Sequence, residues 1–260
     1  MKVVLFCGGL GMRLREYSET IPKPMVRLGY RPILWNVMRY YAHYGHKEFI
    51  LCLGYRGELI KEYFLNYDEC VSNDFVLTQG GQDLDLLGSD TQDWKITFVD
   101  TGINANIGQR LCAVRKYLED DEIFLANYAD GLTDLDFSAY LDRFLAKDKI
   151  ASFLAVRPTQ SFHVVTIKNH THVAGISPLA ESGIWINSGY FIFRREIFKS
   201  IREGEELVKE PFRRLIARNE IMTHKHQGFW MAMDTFKDKL FLDEMVARGD
   251  TPWEVWKAKP

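Results

Sequence analysis

The sequence has few of the features that mark secreted, membrane-embedded or nucleic-acid-binding proteins. Only four of the 260 residues are cysteines, and they show no CxxC spacing, so neither a disulfide framework nor a zinc ribbon is indicated. No apolar run approaches the roughly 18 residues of a bilayer span, and the apolar segment after Met1 is too short for a signal peptide. Lysine and arginine (33) nearly balance aspartate and glutamate (35), and they are scattered, which disfavours a nucleic-acid partner. We expect a cytoplasmic protein with buried, reduced cysteines that acts on a small molecule.

The sequence does contain enough apolar material for a large core, since 47% of it is hydrophobic and 13% aromatic. Short apolar strands alternate with amphipathic helices over residues 1–156, beginning with a strand at 2–7, a helix at 32–41 and a strand at Glu48–Leu53. This alternation predicts an α/β fold with a doubly wound, mostly parallel sheet. Residues 157–260 contain shorter strands, so we expect a small β-rich extension, and the whole chain, 1–260, is predicted to be a single domain.

A glycine-rich segment, GGLGMR at residues 8–13, follows the first predicted strand. Its glycines would let backbone N–H groups approach a polyphosphate closely, and Arg13 would then face the phosphates. A strand-to-helix turn that needs positive φ explains the glycines equally well, because the spacing is neither GxGxxG nor a Walker A motif. Pro22 and Pro24 flank Lys23 and favour an extended segment, so Lys23 is predicted to be held near Arg13.

Two aspartates, Asp130 and Asp234, each follow an apolar segment. Carboxylates at the ends of strands are suitable ligands for a hard divalent cation. Helix capping is the alternative, and for Asp234 alone it is the better interpretation, because a helix is predicted soon after it. Two cations beside two carboxylates suit nucleotidyl transfer, in which an acceptor phosphate attacks the α-phosphorus and pyrophosphate leaves. That reaction requires no protein nucleophile.

Other reactive side chains have simpler explanations. The pairs His170/His172 and His224/His226 each place two imidazoles on one face of a predicted strand, but no further ligands follow at zinc-like spacing. We therefore expect these histidines on solvated strand faces. Cys7 has no base near it in the sequence, so a nucleophilic role is not indicated. GxSxG and HExxH motifs are absent from the sequence, which disfavours common hydrolases.

Taken together, residues 8–13, Pro22 to Met25, Ala129 to Gly131 and Phe229 to Thr235 resemble the sugar nucleotidyltransferase superfamily, and within it the glucose-1-phosphate cytidylyltransferases. The similarity extends nearly from end to end, and Pro252-Trp253 continues it. The resemblance implies a Rossmann-like nucleotidyltransferase fold whose β-rich extension faces the acceptor. It also implies that CTP and glucose 1-phosphate give CDP-glucose and pyrophosphate with Mg²⁺, for surface polysaccharide precursors. Self-association into a homo-oligomer is a further implication.

The resemblance also assigns roles to individual positions. Arg13 and Lys23 would be the catalytic residues that clamp the phosphates, and Asp130 and Asp234 would hold the metal. The nucleotide would be bound by Phe6, Cys7, Gly8, Gly9, Leu10, Gly11 and Arg110, and the acceptor by Asn187 and Glu210.

The chain departs from the family's pattern close to the expected ligands. The family's Glu-Lys-Pro segment, whose lysine approaches the sugar phosphate, aligns with Ser177-Pro178-Leu179, which has no lysine. A first alternative is therefore cytidylyl transfer to a non-sugar phosphate such as phosphoglutamine in capsule modification. A second alternative is a non-catalytic nucleotide-binding scaffold. The presence of Arg13, Lys23 and both aspartates argues against the scaffold, since it would need no such set.

Overall fold

A seven-stranded sheet forms the centre of the computed structural model, which describes residues 1–9 and 21–257. The strands are β1 (Lys2–Phe6), β2 (Arg27–Leu28), β3 (Arg31–Pro32), β4 (Glu48–Leu53), β5 (Phe75–Thr78), β6 (Asp83–Leu86), β7 (Lys95–Asp100), β8 (Ile123–Tyr128), β9 (Gly131–Thr133), β10 (Ala151–Val156), β11 (His163–Lys168), β12 (His172–Pro178), β13 (Ile186–Arg194), β14 (Ile221–Lys225) and β15 (Trp230–Ala232). The α-helices are α1 (Ile33–His43), α2 (Gly57–Leu65), α3 (Glu69–Ser72), α4 (Ile107–Ala113), α5 (Phe137–Leu145), α6 (Glu210–Ala217) and α7 (Phe236–Ala247). Short 3-10 helices cover Lys23–Met25, Gln79–Gly81, Arg115–Leu118, Leu179–Glu181 and Arg195–Ser200. Within the described ranges, no helix is both long and apolar enough to cross a membrane.

The central sheet has the strand order β14-β10-β13-β8-β1-β4-β7. Its neighbours are parallel except β13, which is antiparallel to both β8 and β10. The predicted α/β fold with a mostly parallel sheet is confirmed. Because β13 and β14 come from the second half of the chain, both halves build the same sheet. Outside that sheet, the described residues form four two-stranded pairs, β2–β3, β5–β6, β9–β15 and β11–β12. The β11–β12 hairpin lies in the half where a β-rich extension was predicted.

Both faces of the sheet are covered, which explains why its strands are almost continuously apolar. Strands β1, β4 and β8 are buried along nearly their whole length. Helix α1 packs on one face, where Tyr40 and Tyr41 lie among Phe137 and Tyr190 with ring centroids 5.3–6.3 Å apart. These tyrosines are therefore core residues.

The start of helix α4 and the burial of the cysteines are both set locally. Helix α4 begins at Ile107, because Asn106 and Gln109 form a capping box at its N-terminus. The cysteines are free, but only Cys7 and Cys52 are buried; the other two, on α3 and α4, are exposed. Short amphipathic helices leave one face in solvent, which is where these two thiols lie.

Candidate active site

Lys23 lies between the two aspartates that the sequence analysis singled out. Its Nζ donates to Oδ2 of Asp130 at 2.5 Å and to Oδ1 of Asp234 at 2.7 Å. The side chains are 14%, 24% and 38% exposed, respectively, so the cluster is partly shielded but still reachable from solvent. The carboxylates therefore converge on one point at the edge of the sheet.

A two-stranded ribbon aligns the aspartates. Asp130 immediately precedes β9 and Asp234 follows β15 by two residues; the strands pair antiparallel, with Ala232 opposite Gly131. The N–H of Met233 donates to the carbonyl of Asp130 at 3.0 Å. Three-residue strands are too short to show alternation in a sequence, so this ribbon was not predicted.

Neither aspartate caps a helix. The helix after Asp130, α5, is capped by Asp136, and α7 is capped by Thr235 in a capping box with Asp238. The capping interpretation of Asp234 is therefore wrong. Since both carboxylates instead face Lys23, they are placed for charge chemistry rather than for helix stabilisation.

The segment around Lys23 is rigid for local reasons. Pro22 precedes and Pro24 lies within a 3-10 turn, closed by a 2.8 Å hydrogen bond from the N–H of Met25 to the carbonyl of Pro22. Burial lowers the pKa of Lys23, but attraction to Asp130 and Asp234 more than offsets it, and the net pKa is raised above its usual value. The side chain therefore remains an ammonium throughout the neutral pH range.

Two adjoining cavities of about 250 and 320 Å³ flank the end of β1. Both are lined by Phe6, Gly9 and Ile107; Lys23 and Asp130 line the smaller one. The ring of Phe6 lies 6.1 Å from that of Tyr128, centroid to centroid. The remaining lining residues include Cys7 in the smaller cavity and Gly8 and Arg110 in the larger. Burial raises the pKa of the Cys7 thiol well above its usual value, so it is inert. Leu10, Gly11 and Arg13 lie outside the described residues.

Arg110 ties together the chain segments that form these cavities. Its guanidinium donates to the carbonyls of Leu53 (3.0 Å), Gly8 (2.8 Å) and Ile103 (3.2 Å) and to the hydroxyl of Thr101 (2.7 Å). A Cβ at Gly8 would lie 2.0 Å from the guanidinium, so only glycine fits there. Since Arg110 is 3% exposed, its donors are directed at the protein itself.

We expect Arg110→Met to destabilise the fold as well as weaken nucleotide binding. Three carbonyls would lose a buried donor, at about 1–3 kcal/mol each where water cannot replace it, which corresponds to a fall in Tm of roughly 5–15 °C. The matched control is Arg115→Met, because Arg115 is exposed just beyond the same helix. Thermal melts and the KM for CTP measure both effects. A raised KM with an unchanged Tm would mean that Arg110 binds the nucleotide directly.

A third cavity, of about 910 Å³, is lined in part by Asp234. Its walls are mostly aromatic and aliphatic and include Phe229, Trp230 and Met231. The Lys23 cluster thus borders two cavities, because Lys23 and Asp130 line the one of about 250 Å³ and Asp234 lines the one of about 910 Å³. That arrangement can bring two substrates together at the carboxylates.

His226 lines the large cavity and is not on a solvated strand face, contrary to the sequence expectation. Its Nε2 lies 2.8 Å from Oδ1 of Asp134 and 3.2 Å from the carbonyl of Phe229. That carbonyl also accepts from the hydroxyl of Thr133 at 2.9 Å. His226 therefore closes the far end of the ribbon that holds the aspartates. Its partner Asp134 lies 92 residues away, so the sequence carries no signal for the pair.

Asn187 and Glu210 are not among the residues that line the three cavities. The side chain of Asn187, on β13, accepts from the N–H of Gly189 at 3.0 Å and shapes the strand locally. Glu210 begins α6, where its charge acts on Arg214. Their assignment to the acceptor therefore stays a prediction from the family resemblance. Tyr128 and Ile107, in contrast, line the cavity of about 250 Å³ beside Lys23 and Asp130. Tyr128 is close in sequence to Asp130, and Ile107 is close in sequence to Arg110.

The carboxylate pair fits a divalent cation in its donor chemistry. Mg²⁺ usually binds one or two carboxylates together with substrate phosphates and waters. One oxygen of Asp130 and one of Asp234 already contact the same positively charged nitrogen, Nζ of Lys23. Within the described part of the chain, no group of three or more potential ligands is found, so substrate oxygens would have to complete the shell.

Comparison with known proteins agrees with the sequence resemblance. The glucose-1-phosphate cytidylyltransferase of Salmonella typhimurium is 37% identical over 258 residues, which cover 99% of this chain and 100% of that one. A Bacillus subtilis protein named "probable glucose-1-phosphate cytidylyltransferase" is 35% identical, with 98% and 100% covered. Each of these relatives aligns along its entire length.

Solved structures share the fold at lower sequence identity. HddC from Yersinia pseudotuberculosis superposes with a TM-score of 0.65 at 21% identity, covering 94% of this chain and 99% of that one. A UDP-glucose pyrophosphorylase in complex with UDP-glucose gives a TM-score of 0.68 at 12% identity, covering 95% and 98%. The family model described as "Nucleotidyl transferase" matches residues 2–240. The chain belongs to this nucleotidyl transferase family.

Proposed function

We propose that the protein is a CTP-dependent cytidylyltransferase that transfers CMP from CTP to glucose 1-phosphate and releases pyrophosphate. The observation that carries this is the Asp130–Lys23–Asp234 cluster, which borders a small cavity and a large one. The full-length relatives named glucose-1-phosphate cytidylyltransferase support both the nucleotide and the acceptor. The proposal includes a cytoplasmic location and self-association.

In the proposed reaction, the chain orients two substrates and balances their charge. Phe6 to Gly9 would border the nucleotide, and Lys23 would offset the charge that develops on the α-phosphate as an acceptor phosphate oxygen attacks and pyrophosphate leaves. Asp130 and Asp234 would hold Mg²⁺, which when bound supplies further neutralisation of phosphate charge. The acceptor phosphate is already ionised, so no side chain has to remove a proton from it.

A second candidate keeps the reaction and changes the acceptor to a non-sugar phosphate such as phosphoglutamine. It is favoured by Ser177-Pro178-Leu179, where the chain has no lysine to meet a sugar phosphate. Lys168, the nearest upstream lysine, is exposed on the β11–β12 hairpin and does not line the large cavity.

Pyrophosphate release tests both candidates. The assay contains CTP and Mg²⁺ with glucose 1-phosphate or phosphoglutamine, and other nucleoside triphosphates replace CTP as controls. Turnover of glucose 1-phosphate supports the first candidate; turnover of phosphoglutamine alone supports the second. If no combination of nucleotide and acceptor releases pyrophosphate, the non-catalytic scaffold is the remaining interpretation.

A further inference from the structure

The large cavity beside Asp234 needs a cation if it is to receive a phosphorylated acceptor. A phosphate monoester carries roughly 1.5 to 2 negative charges at neutral pH, and moving it from water into a mostly apolar cavity requires compensating charge. Asp234 lines this cavity, and Asp130 lies close to it. Both carboxylates add negative charge at the part of the cavity where the phosphate would react. Lysine, arginine and histidine side chains in the cavity wall are therefore the candidates for binding the phosphate.

Arg157 and His226 line the cavity, but other contacts already engage them. The guanidinium of Arg157 lies 4.1 Å from the ring centroid of Trp185 and donates to the carbonyl of Ile184 at 3.1 Å. The Nε2 of His226 faces Asp134 at 2.8 Å. Any positive charge on His226 is thus balanced by its own carboxylate.

Lys237 is the cavity-lining cation that lies nearest to Asp234 in the chain, and no carboxylate among the described residues pairs with it. Its Nζ lies 3.1 Å from Oγ of Ser161, and among the residues that the structure describes it forms no ion pair. The neighbouring carboxylate, Asp238, is occupied at the start of α7, where Oδ2 accepts from the N–H groups of Asp234 (3.1 Å) and Thr235 (2.7 Å). Of the three N–H donors of this ammonium, the Ser161 contact uses one.

Lys237 and Ser161 come from different segments of the chain and meet in the lining of the cavity. Lys237 is in the first turn of α7, three residues after Asp234, whereas Ser161 follows β10. Their contact joins segments 76 residues apart. A phosphate bound between them would be held at the wall that also carries Asp234, which is where an attacking oxygen is needed.

We propose that Lys237 and Ser161 form the acceptor-phosphate site, with the ammonium and the hydroxyl donating to the phosphate oxygens that do not attack. The inference rests on the proposed function, because that function supplies a phosphorylated acceptor. It applies to glucose 1-phosphate and to phosphoglutamine alike, since both present a phosphate. The site would discriminate phosphorylated from unphosphorylated acceptors without recognising the organic part.

Steady-state kinetics of Lys237→Met with CTP and the acceptor that the wild-type enzyme uses tests this site. Loss of one charge-assisted hydrogen bond should raise the KM for the acceptor about 10- to 100-fold, while the KM for CTP stays within about twofold. Ser161→Ala, which removes the hydroxyl that Lys237 contacts, should raise the acceptor KM in the same direction by a smaller factor. Lys199→Met is the matched control, because Lys199 is an exposed lysine in the 3-10 helix Arg195–Ser200.

Calorimetric titration with glucose 1-phosphate provides a readout that does not depend on turnover. Weaker binding by Lys237→Met than by wild type supports the site, and equal binding overturns it. If the wild-type enzyme is active and Lys237→Met has the same KM for the acceptor, the inference is overturned and the proposed function remains intact. If the wild-type enzyme turns over no acceptor, the proposed function fails, and the titration still decides the site: equal binding, or binding by neither protein, overturns it.

Discussion

Asp234→Asn should lower kcat by about 10³-fold or more while the fold remains intact. The substitution keeps the shape of the side chain but removes a carboxylate that lies 2.7 Å from Nζ of Lys23; a factor of 10³ corresponds to roughly 4 kcal/mol of lost transition-state stabilisation. Because Asp234 is 38% exposed and Asp130 still compensates Lys23, the Tm should change by only a few degrees. Pyrophosphate release and thermal melts measure the two quantities.

The control for this prediction is Asp93→Asn. Asp93 also pairs with a lysine, Lys47, but its side chain is 60% exposed. It lines none of the three cavities described above. Titration of the enzyme with Mn²⁺ as a probe cation, without nucleotide, should show weaker binding by Asp234→Asn than by Asp93→Asn. Activity within threefold of wild type would remove Asp234 from the reacting centre.

Lys23→Met should lower kcat by about 10²–10³-fold, the usual range for removing one preorganised donor. Its effect on cation binding should have the opposite sign. Nζ contacts both carboxylates, so in the absence of nucleotide it competes with a divalent cation for the same oxygens. Two unit charges about 4 Å apart interact by about 4 kcal/mol at an effective dielectric constant of about 20, and removing that competition should tighten Mn²⁺ binding tenfold or more.

The combination of slower turnover and tighter cation binding separates Lys23 from a residue with only a structural role. Lys23→Arg should not restore full activity, because a planar guanidinium does not replace a compact ammonium between two carboxylates. Lys47→Met serves as the control, since Lys47 pairs with Asp93 on the surface. Weaker Mn²⁺ binding by Lys23→Met would contradict the competition and would mean that Lys23 supports the carboxylates instead.

The sequence predicted Asp130 better than Asp234 for a local reason. Asp130 directly follows a strand whose apolar residues are visible in the sequence, and parallel strands bring their carboxyl ends to one edge of a sheet. Asp234 precedes a helix, so capping was an equally local explanation. Only the pairing of β9 with β15, across about a hundred residues of chain, shows that both aspartates are aligned by one ribbon.

Arg110 illustrates a different limit of sequence reasoning. Its position resembles that of a family residue expected near the nucleotide, yet its guanidinium donates to groups from three separate chain segments, including Gly8, which is 102 residues away. His226 was missed for the same reason, since a histidine just after a short strand has no local mark of its distant carboxylate. Hydrogen-bond partners of this kind depend on how strands are ordered, and local patterns do not encode that order.

The sequence by itself determined the α/β class, the alternation of strands and helices, the family, and the pair of prolines that rigidifies the segment of Lys23. These follow from local periodicity, local backbone restriction and motif similarity. Only the tertiary structure decided that Lys23 meets Asp130 and Asp234, which are 107 and 211 residues away, and that Lys237 contacts Ser161, 76 residues away, in the lining of the large cavity. The physical reason is that side chains so far apart in the chain become neighbours only through strand pairing and core packing, which act on the whole domain at once.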